Sequence, residues 1–151
     1  MPALRPGDPA PDVSLALATG ETVRLADLWR ERAVVLFFYP KDGTAICTRE
    51  ACAFRDSYEK FAAAGATVVG VSSDSVESHL QFAAEHRLPF PLASDPQSDL
   101  RRAFGVAKTL GVLPGRATYV IDRRGIVRSV FSAQLASDRH VAEAMAAVTA
   151  C

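Results

Sequence analysis

At 151 residues the chain is long enough for one domain with a proper apolar core, and needs neither a disulfide lattice nor a structural metal to fold. Its 17 Lys plus Arg match its 17 Asp plus Glu and form no long block of one sign, which argues against nucleic acid or an anionic membrane surface as partner. Three cysteines are too few for a disulfide scaffold, Met1 to Asp8 has no apolar stretch of signal-peptide length, and no window approaches the ~20 apolar residues of a membrane span; the expectation is a soluble, cytoplasmic protein acting on small molecules.

Pro6 to Pro11 predicts an extended arm. Val13 to Leu17, the turn Thr19-Gly20-Glu21 and Val23 to Leu25 predict an N-terminal β-hairpin. Ala33 to Tyr39 is a near-continuous apolar run, the signature of a central strand covered on both faces. From Ile46 to Ala64 the residues Cys47, Ala51, Phe54, Tyr58 and Phe61 recur at helical spacing, which predicts one helix with a single apolar face, ended by Gly65. Thr67 to Ser72 predicts a second buried strand, and Asp74, with Glu77 three residues on, an N-cap opening a helix towards Glu85. Leu88 to Leu92, with its two prolines, allows only a short strand or an extended link, and Ser98 to Phe104 predicts a brief helix ending at Gly105. Thr118 to Asp122, the turn Arg123-Arg124-Gly125 and Ile126 to Phe131 predict an antiparallel hairpin, and Asp138 to Val148 a closing amphipathic helix. Early alternation of strand and helix with a late hairpin gives a single α/β domain with a mixed central sheet flanked by helices.

Chemistry concentrates where the central strand runs into the first long helix. Cys47 falls in the opening turn, where unpaired amides and the positive end of the helix dipole favour a thiolate. Thr44, three residues earlier, can cap that turn or hydrogen-bond the sulfur, and Pro40 on the connection would shield it from water. On a regular helix the Cα atoms of Cys47 and Cys52 lie roughly 8 to 9 Å apart, whereas a disulfide needs less than about 7 Å. Oxidation to a disulfide therefore requires at least the first turn to unwind. Thiol-based reduction, with Cys47 attacking and Cys52 resolving, is the reaction class this spacing suggests.

Pro40-x-x-x-Thr44-x-x-Cys47 resembles the peroxiredoxin active-site motif, and Phe37 to Asp42 with Cys47 to Asp56 is similar to the PrxQ, or bacterioferritin comigratory protein, subfamily. The resemblance continues through Gly70 to His79, Leu88 to Pro96 and Thr118 to Asp122. It implies a thioredoxin-like fold with Cys47 as peroxidatic and Cys52 as resolving cysteine, joined in an intramolecular disulfide. It also implies hydroperoxide substrates, thioredoxin or a similar dithiol protein as reductant, no metal or organic cofactor, and a monomer with a homodimer as alternative. Arg116, in Gly115-Arg116-Ala117-Thr118, stands where the family has its distal arginine, whose guanidinium would stabilise the thiolate and bind peroxide oxygens. Members of the family commonly carry Pro-Gly between the threonine and the cysteine, where this chain has Ala45-Ile46. Val106 to Pro114 matches only loosely and is expected to border the site.

Two further readings compete with the peroxidase: a general thiol-disulfide oxidoreductase, and a redox-sensing or chaperone-like module whose partner surface changes when Cys47 is oxidised. A metal site from the cysteines with His79 or His86 is disfavoured, because four intervening residues on one helix make a poor ligand pair. His79, His86 and His140 read as exposed helix residues, Arg101-Arg102 and Arg123-Arg124 as solvated charges, and Cys151 as a free tail thiol.

Overall fold

Ser14–Leu17 (β1) and Thr22–Arg24 (β2) pair as the antiparallel N-terminal hairpin, in a computed structural model that describes residues 4–106, 115–133 and 137–151. Leu25–Glu31 (α1) follows at once, seven residues with too few turns to show a period in the sequence. Ala33–Phe38 (β3) is buried at every position, because helices cover both faces of the sheet it runs through. Val34, Leu36 and Phe38 enter one core with Leu25, while Val35, Phe37 and Tyr39 enter the other with Cys47 and Phe54.

Ala45–Asp56 (α2) and Tyr58–Ala63 (α3) carry the chain back to Ala66–Ser72 (β4), parallel to β3. The single helix expected from Ile46 to Ala64 is thus two. Ser57 leaves the helical region at φ −102° and ψ 4°, in an Asp-Ser pair whose side chains compete with the helix ladder for hydrogen bonds. The apolar period survives the break because Phe54 and Phe61 still meet, ring centroids 5.8 Å apart.

Val76–His86 (α4) leads to Leu92–Ser94 (β5), parallel to β4. Ser75 caps α4, accepting from the Ser78 amide at 3.1 Å, while the expected cap Asp74 accepts from the Asp42 amide and the Ser72 hydroxyl instead. β5 begins just past Pro91, which has no N–H for the ladder. Asp99–Phe104 (α5) ends at Gly105 in the left-handed region. Ala117–Ile121 (β6) and Val127–Ser132 (β7) form the late antiparallel hairpin, and Ser137–Ala150 (α6) closes the chain. From residue 107 to 114 the stretch expected to border the site lies outside the described residues.

The strand order is β2-β1-β5-β4-β3-β6-β7, with β3, β4 and β5 parallel and β6 antiparallel to β3. This mixed α/β sheet is thioredoxin-like. Phe37 of β3 stacks on Phe54 of α2 with centroids 4.5 Å apart, which fixes α2 over the carboxyl half of β3. Gly70 on β4 makes the room, since a Cβ there would stand 2.7 Å from the Phe37 ring. Among the described residues, no helix is long and apolar enough to cross a membrane.

Candidate active site

The loop leaving β3 delivers Pro40 and then Thr44, the N-cap residue of α2. The first ladder bond runs from the Thr48 amide to the Thr44 carbonyl at 2.9 Å, so the amides of Ala45, Ile46 and Cys47 stand ahead of the ladder as a partial positive charge. The Thr44 hydroxyl does not cap the helix; it donates to the Lys41 carbonyl at 3.1 Å and braces the loop.

Cys47 opens the buried face of α2, followed by Glu50, Ala51 and Phe54 at spacings of one and two turns. Arg116, on the lead into β6, donates from Nη2 to the Cys47 sulfur at 3.1 Å and from Nη1 to Glu50 Oε1 at 2.7 Å. One fork thus holds the thiol and a carboxylate together, both shut away from water. Burial pushes the Glu50 carboxyl up to about 7, and the neighbouring Arg116 charge only partly pulls it back. Glu50 Oε2 and Arg116 Nε are buried without a hydrogen-bond partner among the described residues.

Behind Glu50 lies His140 of α6, fully buried rather than exposed as its sequence context suggests. Its Nε2 faces the Ala133 carbonyl at 2.8 Å, and its Nδ1 meets the Thr118 hydroxyl at 2.7 Å and Glu50 Oε2 at 3.4 Å. Burial lowers its pKa to about 4, so the ring is neutral at pH 7: Nε2 donates, Nδ1 accepts from Thr118, and the contact with Glu50 is not an ion pair.

A second polar network secures the loop on the α4 side. The Tyr39 hydroxyl donates to Asp42 Oδ1 at 2.5 Å, and the Ser78 hydroxyl donates to Asp42 Oδ2 at 2.9 Å. His79, also fully buried, places Nδ1 2.7 Å from Asp42 Oδ2 and Nε2 3.0 Å from the Ala93 carbonyl. Burial alone would raise the Asp42 pKa, but the hydrogen bonds from His79, Tyr39 and Ser78 outweigh it and hold the carboxyl below its ordinary value. Asp42, Asp74 and His79 cluster as metal ligands can, yet their polar atoms already face one another's donors and the Asp42 amide.

Cys52 lies on a different face of α2, in a groove of about 400 Å³ shared with Arg49 and with Asp138 and Val141 of α6. Both thiols are free while the helix is intact. Cys151 is free and exposed beside a cleft of about 530 Å³ at the far end of the sheet, with Arg32, Arg123, Arg124 and Arg128. Glu50 was within reach of sequence reasoning, being a charge on the apolar stripe of Cys47, Ala51 and Phe54. Arg101, read as solvated, is in fact buried, and His79 and Arg101 stand on faces whose character only their partners reveal.

A thioredoxin-like sheet that carries a buried cysteine in a helix's first turn, bonded to an arginine on the lead into a neighbouring strand, defines a class of thiol-chemistry proteins. The family model described as AhpC/TSA matches residues 6–130. Over 140 residues the chain is 45% identical to the chloroplastic peroxiredoxin Q of Triticum aestivum and 46% to that of Sedum lineare, covering 92% of this chain and 64% and 75% of those proteins. Among solved structures, peroxidoxin BcpB from Mycobacterium tuberculosis superimposes with a TM-score of 0.90 at 40% identity over 97% of each chain. The bacterioferritin comigratory protein of Xanthomonas campestris, studied for alkyl peroxide reduction, does so at 0.82 and 35% identity, covering 91% of this chain and 90% of that one. The chain belongs to the AhpC/TSA family, in its peroxiredoxin Q group.

Proposed function

We propose that this chain is a thiol peroxidase that reduces hydrogen peroxide and organic hydroperoxides to water and alcohols in antioxidant defence. The observation that carries the reading is the Arg116 guanidinium, 3.1 Å from the Cys47 sulfur and held by Glu50. The thiolate attacks the terminal oxygen of the peroxide and the O–O bond breaks. The electron pair leaves on the distal oxygen, which takes a proton and departs as water or alcohol, while Cys47 becomes a sulfenic acid. A guanidinium fixed beside the sulfur stabilises the charge that develops on both oxygens.

The first turn of α2 then opens, the Cys52 sulfur attacks Cys47, water leaves, and a Cys47–Cys52 disulfide forms. Two electrons from thioredoxin or a similar dithiol protein restore both thiols, in the reducing setting of the cytoplasm. Cys47, 1% exposed, suits a small hydroperoxide better than a bulky protein disulfide. Intact-mass analysis after stoichiometric peroxide tests the scheme, followed by thioredoxin-coupled turnover. The wild type loses two hydrogens, Cys52→Ser stops at sulfenic or higher oxides, and Cys47→Ser consumes no peroxide. Peroxide consumption by Cys47→Ser at the wild-type rate would falsify it.

A further inference from the structure

Among the described residues, the peroxide scheme leaves one buried guanidinium without a task. Arg101 of α5 donates from Nη2 to the Tyr39 carbonyl at 2.7 Å and from Nη1 to the Gly115 carbonyl at 2.6 Å. These carbonyls belong to the peptide units Tyr39–Pro40 and Gly115–Arg116, the links that deliver Pro40 and Arg116 to the thiol. We infer that Arg101 is a positioning residue for the peroxide reaction, clamping the end of β3 to the lead into β6 and so setting where Arg116 meets Cys47. The inference rests on Cys47 being the peroxide-reacting thiol.

Arg101 is itself held in place. Asp95 accepts from the Leu100 and Arg101 amides at 3.0 and 3.1 Å, anchoring the start of α5, and the Phe38 ring lies 5.7 Å from the guanidinium carbon. A planar fork with fixed N–H directions dictates the separation of the two carbonyls it joins, which a flexible ammonium does not. Burial draws the guanidinium below the usual arginine range, while the charges of Asp95 and of a Cys47 thiolate act the other way, so Arg101 lies within electrostatic reach of the sulfur. Arg102, its sequence neighbour, is exposed and paired with Asp99 on the same helix.

The test compares full-length Arg101→Met, Arg101→Lys, Arg102→Met and Cys47→Ser with the wild type. Single-turnover oxidation by hydrogen peroxide and the pH profile of Cys47 alkylation are read together with circular dichroism. Arg101→Met keeps the aliphatic stem and is expected to lose at least about 10-fold in oxidation rate, since small misplacements of reacting groups cost that much or more. Its alkylation profile should move to higher pH, a change that a purely structural role would not produce. Arg101→Lys should restore the profile but recover only part of the rate, and Arg102→Met should match the wild type. A folded Arg101→Met with wild-type rate and profile overturns the inference, as does an equal loss in Arg102→Met. If Arg101→Met does not fold, Arg101→Lys decides: a loss of about threefold or more with an unmoved profile supports the clamp, and a wild-type rate refutes it. Failure of the thiol assignment itself shows separately, as peroxide consumption by Cys47→Ser.

Discussion

Arg116 and Glu50 stabilise each other and the thiol through a single fork, so removing either partner leaves a buried charge exposed to its own desolvation cost. Arg116→Met should lower the peroxide rate by on the order of 10²-fold or more, read in single-turnover kinetics, because it removes the fixed donor to sulfur and oxygen. Glu50→Gln makes a pH prediction. The folded Glu50 carboxyl titrates at about 7 against an ordinary 4.5, so the folded state holds a proton the unfolded chain has lost, and its contribution to stability falls as pH rises through that window. His140, at about 4 against 6.5, acts in the opposite sense: stability rises between those pH values as the unfolded chain gives up its extra proton. The two slopes largely cancel in the wild type. Glu50→Gln leaves only the His140 slope, so the variant should gain on the wild type between pH 5 and 7 by on the order of 2 kcal/mol, seen in urea midpoints. A constant gap across that range would show that Glu50 titrates normally.

At the scale of elements, the proposed cycle gives α2 two tasks that conflict. Its first turn must be folded to set Cys47 against Arg116, and must open for Cys52 to reach it. The turn has no side-chain cap, while farther along Phe54 is stacked on Phe37, so the helix is weakest where it has to yield. Ile46, half-buried in that turn, replaces the glycine common in the family. Ile46→Gly lowers helix propensity by roughly 0.5 kcal/mol and removes partly buried area, so disulfide formation after the sulfenic acid should speed up two- to fivefold, roughly, in stopped-flow. An unchanged second phase would remove Ile46 from the switch. The anchor of α2 can be probed from the sheet side: Gly70→Ala would bring a Cβ to 2.7 Å from Phe37 and 2.8 Å from Leu92, and should cost about 1 to 3 kcal/mol in chemical denaturation. The break at Ser57 was not visible to periodicity, because apolar spacing reports which face is buried and not whether the ladder is continuous.

Across the whole molecule, both layers of helix close on β3, and the site forms where that strand's carboxyl end meets the antiparallel β6. Local opening should therefore stay local: after peroxide treatment, amides 45–52 are expected to lose hydrogen-exchange protection while β3, β4 and β6 keep theirs. Loss of protection throughout the sheet would mean that disulfide formation unfolds the core. The central strand, the helix start at Cys47, the late hairpin and the α/β class were legible in the sequence, since each follows from a local period, turn chemistry or the apolar run Ala33 to Tyr39. The contact of Arg116 with Cys47 spans 69 positions, and the burial of Glu50, His79, Arg101 and His140 depends equally on partners from distant segments. A local pattern prices a charge or a histidine as though it faced water; only the tertiary structure supplies the carbonyls, carboxylates and hydroxyls that let it go inside, and that is where this site was decided.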